Sequence, residues 1–171
     1  KALHKLGYLP ITVMALPEGK TVPMRVPVLS ITNTHEDFYW LPGYLETTLL
    51  ANTFVTSTVA STAREFRKVA TKYGKLSADN LDYIDFQFHD FSQRGQHGDD
   101  AAVLSGIAHL AVFKGTDIIP AVDEIKNVWN TKEFIGGSVV ATEHSIMESL
   151  AGKYGTDLNG QKNAWKYLIN N

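Results

Sequence analysis

The residues able to do chemistry fall in three polar clusters, each following a short apolar run. The runs are Tyr83–Phe88, Leu110–Phe113 and Ser138–Ala141. The clusters are His89-Asp90-Phe91-Ser92-Gln93-Arg94-Gly95, Lys114-Gly115-Thr116-Asp117 and Thr142-Glu143-His144-Ser145. Arg94 carries a guanidinium in a loop, suited to bidentate binding of phosphate or carboxylate; an ordinary surface arginine is the competing reading. Phe91 can stack on a flat heterocycle or cap a core. Asp117 can accept hydrogen bonds from an amide, a hydroxyl or hydrated Mg²⁺, or cap the helix that begins beside it. His144 can exchange a proton or accept a phosphoryl group, or sit buried and hydrogen-bonded. Glu143 can join it at a ligand only if the strand has ended, and otherwise serves as a first-turn helix acid. His89 ends its run and can act through a neighbour.

The elements that must position these groups follow from the spacing. The clusters recur about every 25–30 residues, the length of one strand-plus-helix unit. Parallel strands need such crossovers, and their following loops collect on one sheet edge. Open α/β sheets and (β/α) barrels keep their chemistry there. Helices are expected over Ala101–His109, Ile119–Trp129, Ser145–Lys153 and Asn163–Ile169. Upstream, Ile11–Leu16 and Val26–Thr32 read as antiparallel strands around the turn Pro17-Glu18-Gly19-Lys20. Residues 37–74 read as helical, with Thr34 and Asp37 as a cap pair, Pro42-Gly43 breaking the start so that Phe38–Leu41 can form a separate turn, and Gly74 as terminator. The fold class is therefore α/β with an α+β N-terminal part. Antiparallel strands and a helical segment (1–78) precede the first units of a partial (β/α) barrel (79–171). Three units cannot close a barrel of eight strands, so further chain is expected to complete the sheet.

Composition narrows the function classes. The chain has 171 residues, 44% hydrophobic and 20% charged, with net charge −2 and no cysteine. A chain of this size can bury a core without staples. Thiolate chemistry is excluded. Sixteen basic residues against eighteen acidic ones, without a basic run, argue against nucleic acid as partner. No apolar stretch has the length of a membrane span. There is no HExxH, GxGxxG, GxxxxGK[ST] or GxSxG motif, and no zinc-type histidine spacing.

Five phrases in order carry a resemblance. They are Val26-Pro27-Val28-Leu29-Ser30-Ile31-Thr32-Asn33-Thr34, Phe38-Tyr39-Trp40-Leu41-Pro42-Gly43-Tyr44-Leu45-Glu46-Thr47, His89 through Gly95, Phe113 through Asp117, and Glu143-His144-Ser145. Together, over most of residues 20–150, they resemble the nicotinamide phosphoribosyltransferases. The resemblance implies an enzyme that joins nicotinamide to 5-phosphoribosyl-1-pyrophosphate, releasing pyrophosphate, in NAD salvage. It implies Mg²⁺, with ligands outside this chain, and ATP as phosphoryl donor to His144. It places Phe91 on the nicotinamide ring, Arg94 on substrate phosphate or ring, Asp117 on the carboxamide N–H and Glu143 at the substrate site. It further implies a dimeric, cytoplasmic enzyme with shared active sites. Where the family has Gly-Tyr between the His-Asp-Phe and the arginine, this chain has Ser92-Gln93. The later barrel strands of the family are absent, so this chain alone is expected to turn nothing over. A nicotinate-using relative is the alternative within enzymes; a non-catalytic assembly or regulatory subunit is the alternative outside them.

Overall fold

The computed structural model describes residues 1–139 and 141–170. They divide into two compact units, Lys1–Ser138 and Val139–Asn171.

The first unit begins with the short helix α1 (Ala2–Leu6) and a hairpin. Strands β1 (Ile11–Ala15) and β2 (Leu29–Asn33) pair antiparallel, Ile11 opposite Asn33 and Ala15 opposite Leu29. β-Branched Ile11, Thr12, Val13, Ile31 and Thr32 favour this pleated pairing. A 3₁₀ turn, Glu36–Phe38, follows. His35 caps it through Nδ1, which accepts from the Asp37 amide at 3.2 Å, so the Thr34–Asp37 cap is not formed.

Helix α2 then runs unbroken over Leu41–Ser77. Pro42 sits in its first turn, where a missing N–H costs nothing, so the helix starts at Leu41 and the 3₁₀ turn before it stays separate. Gly74 does not end it. Gly74 is buried, and a Cβ there would lie 2.8 Å from the Tyr83 hydroxyl and 2.9 Å from Leu81 Cδ2. The residue is small because α2 meets the next segment at that point.

That segment is where the structure departs most from the sequence pattern. Tyr83–Phe88 is not a strand: Asp82–Phe86 coils as a 3₁₀ turn, and strand β3 is only His89–Asp90. Leu110–Phe113 is not a strand either, since α3 (Asp99–Leu110) extends into it and β4 is Gly115–Thr116. One residue of each run is a core plug. Ile84 and Phe113 are buried with Ala63 of α2, and Leu81, Phe88 and Val112 pack around them. Of the third run, Val140 lies outside the described residues; the ladder contact falls one residue earlier, as a parallel bridge from Gly115 to Gly137. β3 and β4 pair in parallel, His89 with Gly115 and Asp90 with Thr116. Three successive β/α crossings thus meet in register at His89, Gly115 and Gly137.

Helix α4 (Ile119–Trp129) packs on α3. The seam uses small residues: Gly106 of α3 faces Ala121 of α4, and both are buried. Asn130 ends α4 in the left-handed region at φ 48, a conformation asparagine tolerates.

Arg67 ties α2 to this region. It donates to the Asp85 carboxylate at 2.6 Å and to the Val112 carbonyl at 2.7 Å, while Lys114 reaches the other Asp85 oxygen at 3.0 Å. These hydrogen bonds, Arg67's first, hold the Asp85 carboxyl below its ordinary 3.8. A depressed carboxyl contributes stability that is present above its unfolded value and lost as pH falls through its folded value. Asp85→Asn should therefore lower stability by about 1 kcal/mol near neutrality, a figure kept small by partial exposure. It should also flatten the loss seen below about pH 4. Urea unfolding across that pH range measures it; parallel curves for both proteins would refute it.

The second unit pairs α5 (His144–Tyr154) with α6 (Leu158–Asn170), burying Leu150, Gly160 and Ala164. Asp157 accepts the Gly160 amide at 2.8 Å and so starts α6. Lys153 lies over the rings of Tyr154 and Tyr167 at 4.9 and 5.0 Å.

Candidate functional site

The site forms where β3, β4 and the Gly137 bridge end. Asp117 follows β4 directly, and its amide donates to the Asp90 carbonyl of β3 at 3.1 Å, continuing the parallel ladder one step. Its Oδ1 accepts from His89 Nε2 at 2.8 Å and from the Ser138 hydroxyl at 2.6 Å. One carboxylate oxygen therefore joins residues from the ends of three consecutive β/α units. The helix-cap role is not the one adopted. The Ile118 amide instead donates to Thr116 Oγ1 at 3.0 Å, which leaves the Asp117 carboxylate to the site.

Donation from Ser138, then from His89, lowers the Asp117 carboxyl below 3.8 against the opposing effect of burial, and Arg94 adds a smaller coulombic pull. Asp117 is thus anionic throughout the neutral range while remaining nearly half exposed. An exposed anionic acceptor, fixed by two donors on one oxygen, is chemically matched to a ligand N–H.

Phe91 follows β3 and is 54% exposed, too open for a core cap. Its ring stacks on the His89 imidazole, with centroids 4.3 Å apart and planes at 30°. The loop is held by Asp90, buried, whose Oδ1 accepts the Ser92 amide at 2.9 Å. Ser92 and Gln93, which replace the family's Gly-Tyr, serve the loop itself. Gln96 donates to Ser92 Oγ at 3.3 Å and Gln93 to Asp99 at 3.2 Å. Arg94 lies in the 3₁₀ turn Ser92–Gly95, exposed, and among the described residues it makes no ion pair.

The structure thus brings together Phe91, His89, Asp117 and Ser138, with Arg94 close enough for its charge to act on Asp117. Glu143 and His144 belong to the second unit. The strand has ended there: Glu143 is extended, its carbonyl accepts the Met147 amide at 3.1 Å, and His144 opens α5, exposed. His144 is therefore not a buried, hydrogen-bonded core histidine.

Sequence reasoning missed Ser138. Its signal was available, since it stands at the start of the third apolar run, as Asp117 stands just past the second. Among the described residues no group of three or more His, Asp or Glu side chains comes together as a metal site. The described residues do not make an Mg²⁺ cage. No helix among them is long and apolar enough to cross a membrane.

A ring-stacking surface beside a fixed acidic acceptor, at the ends of parallel strands, suits a protein that holds a heteroaromatic amide. Residues 86–166 match the nicotinate phosphoribosyltransferase (NAPRTase) family, the stretch that holds three of the five phrases.

More particularly, the chain is similar to curated proteins named nicotinamide phosphoribosyltransferase. It is 44% identical over 147 residues to that of Acinetobacter baylyi, covering 86% of this chain and 29% of the relative. It is 32% identical over 148 residues to that of Mycoplasma genitalium, with 85% and 30% covered. It is 34% identical over 144 residues to that of Xanthomonas campestris, with 84% and 30% covered. The chain spans about a third or less of the length of the relatives it matches.

Proposed function

We propose that this chain is the pyridine-reading portion of a nicotinamide phosphoribosyltransferase. The reaction transfers a 5-phosphoribosyl group from its pyrophosphate to the ring nitrogen of nicotinamide. Phe91 supplies the surface on which the pyridine ring stacks. Asp117 accepts the carboxamide N–H, and its charge disfavours nicotinate, whose carboxylate it repels. Arg94 offers its guanidinium to the phosphate or the ring. Transfer at the anomeric carbon develops positive charge and releases an anion, so positioning and charge stabilisation are the catalytic tools required. The observation that carries the reading is Asp117 Oδ1 held at 2.8 and 2.6 Å by His89 and Ser138 beside the exposed face of Phe91.

His144 is assigned as the residue phosphorylated by ATP, with Glu143 beside it at the substrate. An exposed imidazole in the first turn of an 11-residue helix supports this, because helix N-termini favour phosphoryl anions. The parallel β3–β4–Gly137 ladder is read as the first part of a (β/α) barrel, with the non-barrel part ending near residue 78. Exposed Tyr44, Phe54, Tyr73 and Leu76 on α2 support further protein covering that surface. Mg²⁺ bound elsewhere in the complete enzyme, a dimeric assembly and a cytoplasmic setting complete the proposal. The chain alone is expected to be inactive.

The test is a chimera: the Acinetobacter baylyi relative with its matching stretch replaced by this chain's 147 residues. It should make nicotinamide mononucleotide and prefer nicotinamide to nicotinate. His144→Ala should abolish ATP-dependent phosphorylation and the stimulation by ATP while slow transfer without ATP persists. A chimera without transferase activity, or one that prefers nicotinate, would refute the reading.

A further inference from the structure

The His89 ring is held on three sides. Its Nε2 meets Asp117 Oδ1 at 2.8 Å. One ring face stacks on Phe91. Its Nδ1 is buried without a hydrogen-bond partner and lies against Gly115; a Cβ on Gly115 would stand 2.9 Å from that nitrogen. The side chain as a whole is only 9% exposed. An ionised carboxylate cannot donate, so Nε2 must carry a proton, and the neutral ring then keeps its lone pair on Nδ1. An unpaired buried lone pair costs less than an unpaired buried N–H would once the other nitrogen is satisfied by a charge. The arrangement therefore selects one tautomer and one ring orientation. Both donors go to Oδ1, which leaves Oδ2 as the acceptor for a ligand.

We propose that His89 is the positioning residue of the site: as the Nε2–H tautomer it fixes the Asp117 carboxylate and backs the Phe91 ring, so that acceptor and stacking face meet one ligand at a set angle. His89 itself does not touch the substrate. Gly115 is part of the device, because any side chain there would displace the imidazole. This rests on the assignment of Asp117 and Phe91 to nicotinamide.

Two measurements test it. In the 171-residue chain, ¹⁵N–¹H correlation of the His89 ring at neutral pH should show the Nε2–H tautomer. In the chimera, His89→Leu keeps bulk but removes the donor. It should raise the nicotinamide KM about tenfold while leaving the phosphoribosyl-pyrophosphate KM within about twofold. His89→Gln places an amide N–H near the Nε2 position and should recover most of the loss. A purely structural histidine would shift both KM values or neither, and glutamine would not rescue it. An Nδ1–H tautomer, or a His89→Leu chimera with unchanged nicotinamide KM, overturns this inference alone. An unsubstituted chimera without activity overturns the functional reading and this inference together.

Discussion

Asp117→Ser in the chimera is expected to lower nicotinamide kcat/KM by about 100-fold and to erase the preference over nicotinate. A hydrogen bond to a charged group contributes about 1.5–3 kcal/mol, and each 1.4 kcal/mol is tenfold. In the proposed binding mode, the same substitution removes a negative charge that faces the ring substituent. At about 4 Å and an effective dielectric near 20, that repulsion is of order 4 kcal/mol, reduced here because Asp117 is nearly half exposed. Nicotinamide therefore loses while nicotinate gains, and the ratio of the two moves further than either value. Asp117→Asn should fall between, since it keeps an acceptor oxygen and drops the charge. Because Ser138 and His89 hold the carboxyl below 3.8, the discrimination should persist across neutral pH and fade only in acid. Steady-state kinetics with both substrates decide it; a Ser variant with the original preference would refute the role of Asp117.

Gly106→Val is expected to destabilise the first unit by about 3 kcal/mol or more. Even a Cβ at Gly106 would stand 2.6 Å from Ala121 Cβ and 3.4 Å from Ile118 Cγ2. Ala121 and Ile118 are fully buried, so neither can retreat into solvent. The seam between α3 and α4 would open, and α4 begins two residues after Asp117. Gly106→Ala should be milder, and adding Ala121→Gly should restore part of its cost, because the two substitutions share one contact. Urea unfolding of the single and double variants measures this. A valine variant with an unchanged midpoint would show that the helices do not meet there.

The parts legible in the sequence were those written in local chemistry. Ile119–Trp129 is recoverable to the residue, since Pro120 marks its first turn and its apolar residues recur at helical spacing. The hairpin and α3 are legible for the same reason. Asp117 stands out as a carboxylate at the end of an apolar run. The parallel strands were less legible because each named strand is two residues long. Their flanking apolar residues, Ile84 and Phe113, are buried by a 3₁₀ turn and a helix exit rather than by the sheet. Burial alone cannot tell these apart over so few residues. Gly74 misled for a related reason: its small size serves a close approach to Tyr83 and Leu81, not a helix end. The pairing of Asp117 with His89 and Ser138 spans 28 and 21 residues and depends on sheet register, which no single-chain pattern states. Ser138 was therefore missed as a partner, although its position at the start of the third apolar run was visible in the sequence.

The most direct measurement is a crystal structure of the chimera with nicotinamide bound. The pyridine ring should lie on the exposed face of Phe91, with its carboxamide nitrogen within hydrogen-bonding distance of Asp117 Oδ2 and His89 Nε2 still on Oδ1. Nicotinamide bound with its carboxamide turned away from Asp117, or bound at a site that excludes Phe91, would contradict the assignment.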